Sequence, residues 1–359
     1  MSRSFRSGES NSSNSTNNSS SAGTGYHGQG SHSHTTKHRD GPLSLVELKD
    51  HLKRNNRIKE YQGHSAKVHS VDWSSDGRRL ASGSFDKSVC VFLLDGTKLR
   101  QDHVFRGHTD SVDQLCWHAT NPDLLGTASG DKTVRIWDAR TQKSVDSIPT
   151  KGENINISWS PDGNSIAVGN KEDLITFIDV RTGKISLEVP FKFEVNEICW
   201  NPSSDLFFLT NGEGCIYIHS YPDMQVQQIL KAHPANCICI EFHPKGEYFA
   251  VGSADAVVSL WDFKELACVR TFTRLDWPVR AISFNHDGTL IASASEDLTI
   301  DIAHVDTGEQ VAEITVDSPT FTVAFHPSKN ILAFACDDKD KYDRDRDTGT
   351  LKLYGLPCD

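Results

Sequence analysis

Residues 107–138 read GHTDSVDQLCWHATNPDLLGTASGDKTVRIWD. They hold a Gly-His pair, a strand ending on Trp117, a turn around Asn121-Pro122-Asp123, a small-residue strand, a tight turn at Gly130-Asp131-Lys132 and a third strand closing on Trp137-Asp138. Strands this short bury little on their own, so the unit needs neighbours of its own kind. Outward from this stretch, the aromatic that ends the first strand recurs as Trp73, Trp117, Trp159, Trp200, Phe242, Phe284 and Phe325, at spacings of 44, 42, 41, 42, 42 and 41 residues. Third strands end at Phe92, Trp137, Ile178, His219, Trp261, Ala303 and Tyr354. Self-similarity at this period, with several short strands per unit, predicts an all-β, seven-bladed propeller over residues 57–359.

Trp137-Asp138 and Trp261-Asp262, with Gly63-His64, Gly107-His108 and the weaker Ala232-His233, resemble the markers of the WD-repeat β-propeller family. The resemblance implies that a turn aspartate accepts from the histidine, which bonds a strand hydroxyl, which in turn reaches the indole N–H. Buried polar groups must be paired, and once paired they select one packing. The network would run through His64 and Asp86 in blade 1, His108, Asp131 and Trp137 in blade 2, and His233, Asp255 and Trp261 in blade 5. Thr127 and Ser129 face the same way on their strand and are equally eligible as the hydroxyl. Phe92 offers no indole donor. Glu172 and Glu213 stand at the aspartate position in blades 3 and 4, which also lack the histidine, so those turns should be held less firmly. All these residues therefore have structural work, which argues against reading His108 and Asp131 as an active site.

Counting strands exposes one gap. The last repeat supplies strands at 320–325, 331–335 and 349–354, one short of a blade, while RIKEYQ at 57–62 has no blade of its own. Pairing 57–62 with 349–354 would close the ring and remove an open sheet edge. Before it, PLSLVELKDHLKRN at 42–55 has a capping-box spacing at Ser44 and Glu47, and Leu45, Leu48 and Leu52 at helical intervals. A short amphipathic helix and linker over 43–56 follows, which would either pack on the body or dock a partner. Residues 1–42 contain 12 Ser, 4 Asn and 6 Gly, with Phe5 and Tyr26 the only aromatics. Such a tail cannot bury enough apolar area to offset chain entropy and should be disordered.

The 359 residues are 24% charged and 37% hydrophobic, with a net charge of -11. The first 42 carry +2, leaving -13 on the rest. A body that acidic repels phosphate, which favours protein partners over non-specific nucleic-acid binding. No stretch is apolar enough for a membrane helix and 1–13 lacks the apolar core of a secretory signal, so the cytosolic or nuclear side is expected. Nine cysteines include no CxxC; Cys237 and Cys239 read as neighbours on one strand face, and all should be reduced. His27, His32, His34 and His38 read as part of a solvated tail. The run DDKDKYDRDRD at 337–347 lacks the glycine and terminal glutamate of a calcium loop and reads as a solvated insertion in blade 7. No P-loop, G-x-S-x-G, H-E-x-x-H or dinucleotide fingerprint occurs, so no catalysis, cofactor, metal or small-molecule substrate is expected.

Propellers bind through the loops of their flat faces. The face bearing the loops before each first strand would present Lys151, Phe191, Phe193, Arg274, Trp277 and Arg280, and the turns between second and third strands add Phe85 and Lys171. Aromatics and arginine dominate binding energy at interfaces. In RLDWPVR, 274–280, Trp277 either stands exposed or folds into the channel or a groove between blades.

The segments TASGDKTVRIWD, TKGENINISWSPDG, AVGNKED, FKFEVNEICWN, AHPANCICIEF, GSADAVVSLWD, RLDWPVR, SPTFTVAFHP and LAFACDDKD together resemble the subunit 3 family of the THO complex. That resemblance implies a nuclear, non-enzymatic scaffold subunit that docks on helical subunits of an assembly packaging nascent messenger RNA and recruiting a DEAD-box RNA helicase for export. Two other readings stand beside it. Trp137-Asp138-Ala139-Arg140 fits the WD-x-R ending of substrate receptors for cullin-type ubiquitin ligases, and aromatics beside basic residues could stack single-stranded RNA directly.

Overall fold

The computed structural model describes residues 43–141, 143–339 and 347–357. The Ser/Asn/Gly-rich tail and the centre of the charged run, 340–346, lie outside the described residues.

The chain opens with α1 (Leu45–Arg54) and β1 (Lys59–Gln62), after which strands form antiparallel sheets four at a time. Blade 1 comprises β2 (Val68–Trp73), β3 (Arg79–Ser84), β4 (Ser88–Asp95) and β5 (Lys98–Arg106). Blade 2 comprises β6 (Val112–Trp117), β7 (Leu124–Ser129), β8 (Thr133–Asp138) and β9 (Lys143–Pro149). Blade 3 follows with β10 (Asn154–Trp159), β11 (Ser165–Asn170), β12 (Leu174–Asp179) and β13 (Lys184–Pro190). Blade 4 holds β14 (Val195–Trp200), β15 (Leu206–Asn211), β16 (Cys215–Ser220) and β17 (Val226–Lys231). Blade 5 holds β18 (Cys237–Phe242), β19 (Tyr248–Ser253), β20 (Val258–Asp262) and β21 (Ala267–Phe272). Blade 6 holds β22 (Val279–Phe284), β23 (Leu290–Ser295), β24 (Thr299–His304) and β25 (Gln310–Thr315). Blade 7 contains β26 (Thr320–Phe325), β27 (Leu332–Cys336) and β28 (Thr350–Tyr354), and its fourth strand is β1. The described residues form a seven-bladed β-propeller with one short helix.

Residues at the end of each first strand explain how the blades adhere. Trp73 and Trp117 are buried between blades, and each indole donates to a backbone carbonyl of the blade before it, Ala324 at 3.2 Å and Asp72 at 3.0 Å. Trp200 does the same to Ser158 at 3.2 Å. A large ring fills the gap and its one polar atom is paired, so burial costs nothing in lost hydrogen bonds. Every first strand also carries a bulge near its start, such as that between Val112 and Gln114. A bulge resets the alternation of faces. This corrects the reading of Cys237 and Cys239: the bulge between them sends Cys237 into a core with Phe208 and Leu230 of blade 4, and Cys239 into one with Val279 and Phe284 of blade 6. The eight described cysteines are all free thiols.

At the seam, β1 pairs with β28 in a register running from Lys59↔Leu353 to Gln62↔Thr350. Backbone N–H groups of Gly63 and His64 continue the ladder to Gly349 O, at 3.3 and 3.1 Å. Gly349 has φ +65, and a Cβ there would collide with the carbonyl of His64, so this crossing requires glycine.

The Ser44–Glu47 capping box forms, and Leu48 and Leu52 of α1 are fully buried against Val311 and Ile314 of β25 and Tyr354 of β28. Tyr354 Oη donates to Leu52 O at 3.3 Å, and Lys49 pairs with Glu309 at 3.0 Å. Burying each leucine is worth about 1.5–3 kcal/mol, far more than the exposed ion pair. Helix α1 therefore covers the outer edge at blades 6 and 7.

Candidate partner-binding surface

The polar constellations come first, because they decide which residues are free to act. In blade 2, Trp137 Nε1 donates to Thr127 Oγ1 at 2.9 Å, His108 Nε2 lies 2.7 Å from the same oxygen, and His108 Nδ1 lies 2.8 Å from Asp131 Oδ2. One direction of donation satisfies the whole chain: indole to hydroxyl, hydroxyl to Nε2, Nδ1–H to carboxylate. Thr127 is thus the hydroxyl, and Ser129 instead accepts from the Asp131 N–H at 3.1 Å. Burial holds the His108 pKa down despite its carboxylate partner. Burial would raise Asp131, but bonds from Thr133, the Thr109 N–H and His108 outweigh it and keep the carboxyl below its ordinary range.

Other blades solve the same problem differently. Blade 1 links Asp86, His64 and Ser82, with His64 to Ser82 at 2.8 Å, and stops at Phe92. In blade 5 Val251 takes the place of Thr127, and Ser259 on the third strand supplies the hydroxyl, 2.7 Å from His233 and 2.8 Å from the Trp261 indole; Asp255 completes it at 3.0 Å. Sequence reasoning missed Ser259, although its place two residues before Trp261, on the same strand face, was a usable signal. Blades 3 and 4 hold these turns through an asparagine, which accepts two bonds where Asp131 accepts four. Asn170 Oδ1 accepts from Glu172 N and Leu174 N at 3.0 Å each, and Asn211 Oδ1 from Glu213 N and Cys215 N at 3.1 and 2.8 Å.

Of the loop residues, Phe85 and Trp277 are each more than half exposed. Trp277 stands out because Asp297 Oδ2 accepts from the N–H groups of Asp276 and Trp277, at 2.8 and 3.2 Å, fixing the loop beneath it. Arg274 behaves otherwise: Nε and a terminal nitrogen grip both oxygens of buried Asp301 at 2.7 Å. Its guanidinium anchors to blade 6 while the residue stays exposed, so it remains a proposed partner contact. Phe191 and Phe193 are half-buried, Phe193 stacked on Tyr217 at 4.4 Å and Phe191 edge-on to His219 at 5.5 Å, so most of their surface is spent inside blades 3 and 4. Lys151 pairs with Glu188, and Lys171 with Glu153 at 2.6 Å. Arg280 donates to Glu296 at 2.9 Å and stands 6.0 Å from the Phe321 ring, whose centroid also has the Lys67 ammonium at 3.9 Å. Sequence reasoning missed Phe321, Lys67 and Leu298. Leu298 is more than half exposed in the blade 6 turn, where the blade 2 repeat has Lys132.

The first strands enclose a channel of about 360 Å³ lined by Asp72, Asp113, Glu197 and Glu241 together with other polar residues, Gln114 and Arg280 among them, and aliphatic ones. Asp72, Glu197 and Glu241 tie blades together. Asp72 accepts from Trp117 N at 2.8 Å, Glu241 from Phe284 N at 3.2 Å, and Glu197 from the Gln114 amide at 3.0 Å, whose oxygen accepts from Ile157 N at 2.5 Å. Burial pushes Asp72 and Glu197 up to about 7 and Glu241 up to about 8, against the bonds they accept. Burial likewise pushes the Cys199 thiol up to about 12, which disfavours a thiolate nucleophile. Among the described residues no grouping of His, Cys, Asp and Glu could hold a metal ion, and no helix is long and apolar enough to cross a membrane. The arrangement offers a rigid disc with exposed aromatics on one rim.

Residues 64–335 match the family model described as the THOC3 beta-propeller domain. The chain is 51% identical over 301 residues to THO complex subunit 3 of Arabidopsis thaliana, covering 83% of this chain and 95% of that protein. It is 30% identical over 302 residues to WD repeat-containing protein AAC3 of Dictyostelium discoideum, covering 77% of this chain and 63% of that protein. Similarity to serine-threonine kinase receptor-associated protein of Homo sapiens is 26% identity over 199 residues, 55% of each chain.

Proposed function

The chain belongs to the THOC3 β-propeller family, and from that premise we propose that it is a non-enzymatic scaffold subunit of a THO-type complex. It acts in the nucleus, in co-transcriptional assembly and export of messenger RNA–protein particles. The observation that carries this reading is the 51% identity to THO complex subunit 3 over 95% of that protein's length. Supporting it, the His–Asp pairs of blades 1, 2 and 5 are occupied in holding the turns of their own blades. The partners are the other, helical subunits of the complex, and through them a DEAD-box RNA helicase and mRNA.

Docking uses the rim of Phe85, Trp277 and Phe321, edged by Arg280 and Lys151. Large rings fixed on rigid turns lose little entropy when covered. Purifying the endogenous protein at moderate salt tests the function: THO scaffold subunits should co-elute in constant ratio with it. Co-elution with a ubiquitin-ligase adaptor in their place would overturn the proposal in favour of the receptor reading. Arg140, the last residue of the WD-x-R ending, folds back on Asp138 at 2.7 Å, and no observation favours that reading.

A further inference from the structure

The perimeter of the disc is unevenly finished. Among the described residues, Val145 of blade 2, Ile185 of blade 3, Val226 and Ile229 of blade 4 and Val269 of blade 5 are exposed large hydrophobics on outermost strands. Each of these strands pairs with its neighbour through a bulge. In blade 2 the extra residue is Val145, because Ile136 faces Asp146 and Trp137 faces Ser144. In blade 5 it is Val269, between Arg270 and Cys268, and in blade 6 it is Val311, between Ala312 and Gln310. The three valines occupy one topological position. Val145 is 62% exposed and Val269 50%, whereas Val311 is 9% exposed because α1 lays Leu48 and Leu52 over it.

We propose that the perimeter of blades 4 and 5, at Val226, Ile229 and Val269, receives an amphipathic, acid-flanked helix of a partner chain, as blade 6 receives α1. A bonded turn links β21 to the segment that α1 holds. Arg270 of β21 donates to the carbonyl of Thr307 at 3.1 Å and of Asp306 at 2.5 Å, in the turn whose Glu309 pairs with Lys49 of α1. Charge selects the occupant. β17 (VQQILK) and β21 (ACVRTF) carry Lys231 and Arg270 and no carboxylate, on a body that is otherwise strongly acidic. The chain's own residues 1–42, at +2, suit this strip poorly. An apolar helix face set down by i, i+3 and i+4 anchors fits alternate outward side chains of two outer strands. The inference goes beyond the rim reading and needs only that a partner exists.

The test uses the full chain in its cellular complex, with benzoylphenylalanine introduced separately at 226, 229, 269 and, on the other surface, 277. Photocrosslinks from 226, 229 and 269 should map to one partner segment with apolar residues every three or four positions and flanking Asp or Glu. Val226→Glu with Val269→Glu should lower the crosslink from 229 at least tenfold at unchanged melting temperature. Crosslinks to residues 1–42, to a second copy of the chain or to a segment without helical periodicity, or no crosslink at all, would overturn the proposal. Because 277 is read separately, loss there with retention at 269 counts against the rim alone, and the converse against the perimeter alone.

Discussion

Thr127 is the residue on which blade 2 turns, since one hydroxyl satisfies both a buried indole and a buried imidazole. Thr127→Val keeps the shape and removes the oxygen, leaving two buried nitrogens unpaired, so the protein should lose about 2–4 kcal/mol, measured from urea midpoints. Ser82→Ala should cost less, because Phe92 makes no demand on that hydroxyl. The channel carboxyls give a second residue-level expectation. Glu241 titrates at about 8 when folded, above its ordinary 4.5, so it binds a proton that the unfolded chain has released. Its contribution is therefore full below about pH 4 and is lost as pH rises through about 8. His108, His243 and other buried histidines, whose pKa values are lowered, change stability in the opposite sense between their folded values and 6.5. The clean readout is a difference: the melting temperature of Glu241→Gln relative to the parent should rise between pH 5 and pH 8.5. A flat difference would mean that Glu241 is charged throughout at little cost.

At the scale of elements, β1 and α1 finish what seven repeats leave incomplete. Without β1, the outer face of β28 would present unpaired backbone groups, the kind of edge that templates aggregation. Deleting residues 1–42 should leave the melting temperature unchanged, whereas deleting 1–62 should yield insoluble protein; a soluble, cooperatively folded product from the longer deletion would refute this role for β1. Leu52→Ala opens a cavity beneath α1. Amide exchange across 45–54 should then accelerate while blades 2 to 4 keep their protection, because the core that α1 joins lies in blades 6 and 7.

For the whole molecule, charge and rigidity set what the disc can hold. Trp277→Ala and Phe85→Ala remove exposed rings that support no core, so folding stability should stay within about 0.5 kcal/mol while affinity for the proposed partner subunits falls about tenfold or more. Unchanged co-purification would take these rings out of the interface. With -13 on residues 43–359, that part alone should show no measurable affinity for single-stranded RNA at physiological salt. Tight binding that weakens steeply with added salt would restore the direct RNA reading.

The seven-bladed, all-β architecture was legible because it depends on periodicity: aromatics every 41 to 44 residues announce a unit that must stack on copies of itself. So were the histidine and aspartate of blade 2, whose separation along the chain is set by strand length. What tertiary structure decided was where each polar group found its partner. Ser259 replaced a hydroxyl that Val251 cannot supply, Asn170 and Asn211 secured turns that lack the aspartate, and Arg274 found both oxygens of buried Asp301. Periodicity is a property of one chain read in order. Pairing depends on which side chains approach across strands and blades, and bulges that shift register by one residue redistribute them in ways spacing alone does not encode.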